Sequence, residues 1–228
     1  MADAESDPQA VHMEGIRFAY PGADRPLLED LQLTLARGEL AAVVGPSGVG
    51  KSTLLNLVAG LAVPAAGRVT VLGTEVTALD ESAAARWRRS HLGFVFQQFH
   101  LLPYLTVAEN VALPLALQGR RWGDAEVRTF LGRLGLAEQA GAYPRHLSGG
   151  QAQRTAIARA LIHRPPVMLA DELTGNLDEE TAAAVMDLLV EAVEDLGTTT
   201  LVVTHAPEVA ARAHTRYRLA HHRLQPEP

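Results

Sequence analysis

Nine consecutive residues combine glycines, one lysine and several hydroxyl groups at a spacing that suits a phosphate chain. They are Gly45, Pro46, Ser47, Gly48, Val49, Gly50, Lys51, Ser52 and Thr53. Glycines allow successive backbone N–H groups to converge on one anion. Lys51 is suited to the β- and γ-phosphates of a nucleotide, and the Ser52 hydroxyl is suited to magnesium. The pattern therefore predicts a site for a nucleoside triphosphate and Mg²⁺.

The flanking sequence places this loop between a strand and a helix. The apolar run 40–44 predicts a buried strand before the loop, and the run 54–59 favours a helix after it. That order is the structural context of a phosphate loop, to which the first N–H groups of the helix contribute. Lys51 is also the only lysine in the chain, which indicates that a compact ammonium is required there. A glycine-rich turn with an incidental lysine is the alternative.

A pair of carboxylates follows a second apolar run. Residues 167–170 predict a buried strand, and Asp171 and Glu172 come directly after it. Asp171 is placed to hold Mg²⁺ through water, and Glu172 is placed to polarise an attacking water. The alternative for such an acidic pair is a helix N-cap, which would be the default without the phosphate loop.

A third segment predicts a second anion site between these two. It reads Leu147, Ser148, Gly149, Gly150 and Gln151, and a predicted helix follows it to about Leu161. Ser148 is a candidate N-cap, and the two glycines leave backbone N–H groups accessible at the start of the helix. Two anion sites in one chain are explained if both serve the same phosphate chain.

The Leu-Ser-Gly-Gly-Gln segment resembles the signature of the ATP-binding cassette (ABC) family, and the resemblance covers about residues 11–220. It implies an α/β fold: a P-loop NTPase core with a mixed sheet, an N-terminal antiparallel β subdomain and an inserted α-helical subdomain. The cofactors it implies are ATP and Mg²⁺. Within the family, residues 96–103 and 105–111 resemble the ATPases of lipoprotein-releasing and macrolide-exporter systems.

By the same resemblance, four further residues acquire roles. Tyr20 would stack on adenine, Gln97 would sense magnesium, and His205 would contact the γ-phosphate. Asp178 belongs to a loop that would cross to the opposing subunit, although it is equally suited to cap the next helix. Gln98 is the alternative to Gln97. The implied catalytic residues are Lys51, Gln97, Glu172 and His205, and the implied magnesium ligands are Ser52, Gln97 and Asp171.

The resemblance also implies an assembly. Two cassettes would pair head to tail, so that Ser148, Gly149, Gly150 and Gln151 of one subunit close over ATP bound to the other. An integral membrane permease subunit would contact residues 97–105, a stretch that is unusually apolar for a loop. The alternatives are a cassette that signals through a membrane partner without transport, as in cell division, and a soluble ABC ATPase of DNA repair or translation.

Composition agrees with these expectations. The net charge of -6 argues against a nucleic-acid-coating surface, so no nucleic acid partner is expected. The chain contains no cysteine, and its acidic, polar first residues do not resemble a signal peptide. We therefore expect a cytoplasmic protein held peripherally at the inner face of the membrane by its partner.

The domain organisation follows from the order of these segments. Residues 1–10 are expected to form a disordered tail and residues 11–228 a single ATPase domain, with the helical subdomain at about 98–164. Helices are expected at 78–91 and 181–196. Histidines other than His205 are expected at the surface. The chain departs from the usual family pattern at Leu173, Ala206 and Ala152, and its last predicted strand lacks the usual Asp-Gly turn.

Overall fold

The computed structural model describes residues 9–173 and 179–227. One of its two sheets is antiparallel and consists of β1 (Gln9–Phe18), β2 (Leu28–Ala36), β4 (Ala66–Val71) and β5 (Thr74–Glu75). The strand order in this sheet is β2-β1-β4-β5. The predicted N-terminal antiparallel β subdomain is confirmed.

The second sheet carries the chemistry. Its strands are β3 (Leu40–Val44), β6 (Leu92–Val95), β7 (Val167–Asp171), β8 (Thr199–Thr204), β9 (Thr215–Ala220) and β10 (Arg223–Glu227). They lie in the order β10-β9-β3-β8-β7-β6. All neighbours are parallel except β10, which is antiparallel to β9. This is the predicted mixed sheet, and it brings the carboxyl ends of its five parallel strands to one edge.

Seven α-helices complete the described residues: α1 (Lys51–Val58), α2 (Glu81–His91), α3 (Val107–Leu117), α4 (Asp124–Arg133), α5 (Gly149–Leu161), α6 (Glu179–Leu196) and α7 (Pro207–Ala210). Short 3-10 turns occupy Val76–Ala78 and Pro144–His146. Within the part of the chain that the structure describes, no helix has the length and apolar character needed to cross a membrane.

Three element boundaries differ from the sequence prediction. One of them is that of α6, which begins at Glu179 rather than at residue 181. The disordered tail expected over residues 1–10 is wrong for Gln9 and Ala10, which begin β1: Ala10 is buried and Gln9 pairs with Ala36. Helix α2 begins at Glu81 rather than at residue 78. Asp80 caps it by accepting a hydrogen bond from the backbone N–H of Ala83 at 2.7 Å, as expected of an N-cap aspartate.

Three apolar clusters hold the elements together. The first fills the space between the two sheets around α1, and the second joins α5 and α6 to the large sheet. The third lies among α3, α4 and α5. Helix α5 contributes to the second cluster through Ile157 and to the third through Ala158, both fully buried. It therefore connects the helical region to the sheet.

Candidate nucleotide site

The phosphate loop lies between the carboxyl end of β3 and the start of α1, as predicted. Gly50 is the N-cap of α1 with φ 112°, a value that L side chains rarely adopt. A Cβ at Gly45 would lie 2.5 Å from the carbonyl oxygen of Leu219, and one at Gly50 would lie 3.0 Å from Leu28 Cδ2. Glycine is therefore required at Gly45 by close packing and at Gly50 by backbone conformation.

Lys51 is buried, and its ammonium group is fully occupied. Its Nζ donates hydrogen bonds to the carbonyl oxygens of Gly45 at 2.8 Å and Pro46 at 3.1 Å. It also lies 3.5 Å from Glu172 Oε1. A buried charge needs such partners, and these contacts place the single lysine of the chain between the loop and the acidic pair.

The acidic pair stands at the end of β7. Asp171 is buried, and the Ser52 hydroxyl donates a hydrogen bond to it. Burial raises the pKa of Asp171, with a smaller contribution from the charge of Glu172, while Ser52 and Lys51 act in the opposite direction. Helix α6 begins only at Glu179, so the N-cap alternative for the pair is wrong.

Glu172 adopts an unusual backbone conformation that directs it towards two other predicted catalytic residues. Its φ is 49°, and its backbone N–H donates to the carbonyl oxygen of Val203 at 3.0 Å. Glu172 Oε2 lies 2.7 Å from Nδ1 of His205, and Oε1 faces Lys51. The structure thus brings Lys51, Glu172 and His205 together at the edge formed by β3, β7 and β8.

Gln97 and Gln98 form a turn directly after β6, and both are exposed. Strand β6 pairs in parallel with β7, and Val95 lies opposite Ala170. The turn therefore leaves the sheet at the same edge as Asp171. Because both glutamines belong to this turn, the structure does not distinguish Gln97 from the alternative, Gln98.

Tyr20 is connected to the phosphate loop. Its hydroxyl oxygen forms a 2.9 Å hydrogen bond with Thr53 Oγ1. Its ring makes an edge contact with Phe18 at 5.0 Å between centroids, and about half of the residue is exposed. The ring is thus held beside the loop with accessible surface, which is what base stacking requires.

The signature segment forms the start of α5. Ser148 caps the helix as predicted: its Oγ accepts from the N–H of Gln151 at 3.3 Å, and its own N–H donates to Gln151 Oε1 at 2.9 Å. Ser148 and Gly149 are exposed, and Gly150 is partly exposed. Gly149 and Gly150 are therefore at least partly accessible at the start of the helix, as an anion site requires, whereas the N–H of Gln151 is occupied by the cap.

This second anion site is distant from the end of β6 in the same chain. Helix α5 contacts the segment after β6 through Arg159, and Ser148 lies eleven residues earlier in the sequence. At the rise of an α-helix this corresponds to about 16 Å. Among the described residues, no hydrogen bond or ion pair joins 147–151 to 45–53. Asp178 lies outside the described residues.

The loop after Gln97 is organised by a residue that the sequence analysis missed. Asn110 is fully buried; its side chain accepts from the N–H of Leu102 at 2.8 Å and donates to the carbonyl oxygens of Leu102, Leu105 and Thr106. A sequence signal for this was available. Thr106 and Glu109 have the spacing of a capping box, which they form at the start of α3. That spacing predicts where the helix begins and places Asn110 in its first turns.

The apolar loop residues divide between two environments. Phe99 and Leu101 pack partly against the second apolar cluster, whereas Leu102 and Tyr104 are exposed, Tyr104 to 89%. Next to the loop is a groove of about 480 Å³. Its apolar lining includes Leu61, Phe94, Phe96, Leu113, Pro114 and Leu117, and its basic residues are Arg88, Arg89 and Arg159.

The prediction that the remaining histidines lie at the surface is wrong for His163. This residue is buried, with Nε2 donating to the carbonyl oxygen of Leu92 at 3.1 Å, and burial lowers its pKa. No group of three or more His, Cys, Asp or Glu side chains suited to a metal ion occurs among residues 9–173 and 179–227.

The phosphate loop, the strand-end acidic pair with its histidine, and the glycine-rich start of α5 together define a cassette-type ATPase. A sequence model of the ABC transporter family matches residues 28–175. The chain belongs to this family; it binds ATP and hydrolyses it. The signature sequence, and not composition, made this assignment possible from the sequence.

Named relatives agree. The chain is 47% identical over 196 residues to the ABC transporter ATP-binding protein YtrE of Bacillus subtilis, and the match covers 85% of each chain. It is 45% identical over 221 residues to the lipoprotein-releasing system ATP-binding protein LolD of Bordetella pertussis, covering 96% of this chain and 95% of the relative. It is 44% identical to the macrolide export ATP-binding/permease protein MacB 1 of Yersinia pestis over 89% of this chain and 32% of the relative.

A solved structure has the same fold. The dimeric post-hydrolysis state of the ATP-binding cassette MJ0796, bound to ADP and Pi, superposes with a TM-score of 0.89 at 36% identity. The match covers 95% of this chain and 97% of that one. The predicted α/β fold with a P-loop NTPase core is therefore confirmed.

Proposed function

We propose that this chain is the ATPase subunit of a membrane transporter and works as a head-to-tail homodimer. The observation that carries the proposal is the meeting of Lys51, Glu172 and His205 at the sheet edge. The start of α5 lies about 16 Å along that helix from Arg159, which contacts the loop after β6. Among the described residues, no hydrogen bond or ion pair joins this helix start to the phosphate loop. A second copy can supply the missing surface.

Magnesium fits the residues present. Asp171 Oδ1 is buried and has no hydrogen-bond partner in the described part of the chain, and the Ser52 hydroxyl lies beside the same carboxylate. Mg²⁺ prefers oxygen ligands and is often held by one or two carboxylates together with water and substrate phosphates. Ser52, Asp171 and Gln97 would hold it. When bound, the ion neutralises charge that develops on the β- and γ-phosphates.

The hydrolytic step is assigned to three side chains. Glu172 accepts a hydrogen bond from the attacking water and orients it, because its carboxylate lies between Lys51 and His205. Lys51 stabilises negative charge on the transferred phosphoryl group, and His205 contacts the γ-phosphate while it holds the orientation of Glu172. Tyr20 stacks on the adenine ring. Gln97 links the ion to the loop that follows it.

The dimer supplies the other half of the site. Ser148, Gly149, Gly150 and Gln151 of one subunit bind the triphosphate held by residues 45–53 of the other. Related cassettes of known structure are dimeric, which supports this arrangement. Loss of the γ-phosphate removes shared contacts and allows the subunits to separate.

The proposed membrane partner contacts residues 97–105 and the adjoining groove. Tyr104 and Leu102 are exposed apolar side chains beside an apolar groove with arginines on its rim, a surface that an amphipathic helix with acidic residues would cover. The names of the relatives, which include lipoprotein-releasing and macrolide export systems, support a permease as that partner. The chain would then act at the inner face of the membrane.

The domain boundaries are part of the same proposal. Residues 11–228 would form one ATPase domain, and residues of about 98–164 would form its helical subdomain. The third apolar cluster, which joins α3 and α4 to the outer face of α5, supports this division.

The experiment uses the variant Glu172→Gln, which keeps the size of the side chain and removes its charge. We expect hydrolysis to fall by about a hundredfold or more, ATP binding to persist, and size-exclusion chromatography to show an ATP-dependent dimer. The matched control is Glu194→Gln, at an exposed position of α6. Parental hydrolysis by Glu172→Gln would refute the catalytic assignment. Absence of a dimer with ATP and Mg²⁺ would refute the proposed assembly.

A further inference from the structure

Arg159 joins α5 to the segment that follows β6. Its Nη1 donates to the carbonyl oxygen of His100 at 2.6 Å, and its Nη2 donates to the carbonyl oxygen of Phe99 at 2.7 Å. The side chain is half-buried, and burial lowers the pKa of its guanidinium. One planar group that binds two consecutive carbonyls fixes the direction of both, which a flexible ammonium cannot do.

The segment that Arg159 holds has an unfavourable backbone. Phe99 has φ 55° and His100 has φ 45°, so two consecutive non-glycine residues are left-handed. Non-glycine residues rarely adopt this conformation, and it persists only where the surroundings hold it. The rings of Phe94 and Phe96 stack at 4.1 Å, and Phe96 lies 4.9 Å from His100. These ring contacts hold the side chains in place. Among the described hydrogen bonds, only those from Arg159 reach the two backbone carbonyls.

This chain reversal comes directly after the two glutamines. The N–H of Phe99 donates to the carbonyl oxygen of Phe96 at 3.1 Å and closes a turn around Gln97 and Gln98. On its other side the turn is continuous with β6, whose pairing with β7 fixes it to the sheet. The path of the turn is therefore determined by β6 at one end and by Arg159 at the other.

We propose that Arg159 is a positioning residue for ATP hydrolysis: by holding the carbonyl groups of Phe99 and His100, it sets the direction in which Gln97 enters the nucleotide site. The inference rests on the role proposed above for Gln97. Arg159 has no described hydrogen bond or ion pair to Lys51, Glu172 or His205, so it acts through the glutamine turn.

The position of Arg159 on α5 gives this link a second consequence. The same helix begins with the signature residues, and Gly149 to Leu161 form one uninterrupted helix. Arg159 therefore connects the segment after β6 to the same helix whose first turn carries the signature residues.

A double-mutant cycle tests the proposal on the full-length chain. The variants are Arg159→Met, which keeps the apolar stem and removes the donors, Gln97→Ala, and the combination of both. We expect Arg159→Met to lower kcat about tenfold or more and to change the KM for ATP by less than about twofold, because the phosphate loop is not touched. In the Gln97→Ala background, Arg159→Met should lower kcat by less than about twofold further.

Two additional measurements separate positioning from general destabilisation. Arg159→Lys, which can reach one carbonyl, should give a kcat between those of Arg159→Met and the native chain, and it replaces Arg159→Met in the cycle if the methionine variant does not fold. Hydrogen exchange of the Phe99 amide should accelerate in both variants. The matched control is Arg133→Met, which removes an arginine that bridges α4 to Glu191 of α6 and should leave kcat unchanged.

The outcomes are distinct. Additive effects of Arg159→Met and Gln97→Ala, or an unchanged kcat in Arg159→Met, would overturn the inference while the proposed function stands. An unchanged kcat in Gln97→Ala would overturn the role proposed for Gln97 and this inference with it. A non-additive cycle with a preserved KM supports Arg159 as the residue that positions Gln97.

Discussion

Nδ1 of His205 lies 2.7 Å from Oε2 of Glu172, although the two residues belong to different strand ends. Strands β7 and β8 are adjacent and parallel, with Asp171 opposite Val203, so the residue after each strand emerges beside the other. His205 is largely exposed, whereas Glu172 is nearly buried. The histidine therefore reaches the buried carboxylate from its solvent-accessible side.

His205→Ala should lower kcat by about a hundredfold and weaken ATP binding by a few-fold at most, because the phosphate loop and Lys51 remain. Steady-state kinetics with a direct measurement of ATP affinity would separate the two effects. His214→Ala is a suitable control for histidine loss, since His214 contacts the N–H of Leu40 at the opposite end of β3. A kcat equal to that of the native chain would show that His205 is not catalytic.

Asp171→Asn should stabilise the nucleotide-free protein at neutral pH in the presence of a chelator. Burial is the largest cause of the raised pKa of Asp171. A raised pKa in the folded state means that the protonated form of Asp171 stabilises the fold relative to the ionised form. This contribution to stability is lost as pH rises through the raised pKa. The gain from asparagine should therefore appear as a higher Tm at pH 7 and vanish below pH of about 4, the ordinary aspartate pKa. A gain that is independent of pH would contradict this origin.

Gly45→Ala should abolish ATP binding and lower the free energy of unfolding. The new Cβ would lie 2.5 Å from the carbonyl oxygen of Leu219, and backbone on both sides must shift to relieve the clash. Calorimetry with ATP and thermal unfolding would measure both effects. Gly132→Ala in α4 has open space around its Cβ and should instead raise stability by about 1 kcal/mol with ATP affinity unchanged.

Tyr20→Ala should weaken ATP binding by about five- to tenfold, which corresponds to the free energy of one stacked aromatic ring. Tyr20→Phe, which loses only the hydrogen bond to Thr53, should bind ATP within about threefold of the native chain. The informative comparison uses inorganic tripolyphosphate, which has no base. If Tyr20→Ala weakens tripolyphosphate as much as ATP, the tyrosine supports the loop and does not stack on adenine.

Asn110→Ala should lower the free energy of unfolding by about 1–3 kcal/mol in all, because part-buried backbone groups lose their partner. The N–H of Leu102 and the carbonyl of Leu105 would both lose hydrogen bonds. Urea denaturation measures the loss, and hydrogen exchange of residues 102–105 localises it. Glu109→Gln, on the neighbouring exposed capping box, should have the smaller effect. Equal losses of stability in the two variants would show that the capping box, rather than Asn110, keeps the loop ordered.

Local patterns made the structures of the phosphate loop and of the signature segment predictable. A strand, a glycine-rich loop and a helix are encoded by consecutive residues, and the capping role of Ser148 follows from its spacing to Gln151. Contacts between distant segments were not predictable in this way. One example is the short distance between Glu172 and His205, which depends on strand order. Another is the pair of hydrogen bonds from Arg159 to residues 99–100, which depends on helix packing. No single sequence window contains either kind of information.

Backbone conformation was the second kind of information that residue types concealed. The hairpin between β9 and β10 turns through His221 and His222, both with positive φ, in a two-residue loop that usually contains glycine or asparagine. Tertiary contacts supply the compensation: the carbonyl of His222 accepts from the N–H of Glu29 at 2.9 Å, and its Nδ1 contacts the carbonyl of Leu27 at 3.2 Å. The absence of an Asp-Gly pair therefore did not indicate the absence of the turn.

The position of β3 has a consequence for the newly made protein. Val44, the residue before the phosphate loop, pairs with Thr204 on one side and Arg218 on the other, and Gly45 packs against Leu219. These partners leave the ribosome long after the loop itself, since synthesis adds about 5–20 residues per second. The nascent chain thus contains the loop for several seconds before the strands that flank β3 have been synthesised. A nascent chain that ends before residue 215 lacks β9, one of the two strands that flank β3, so we expect it to bind ATP more weakly than the full chain.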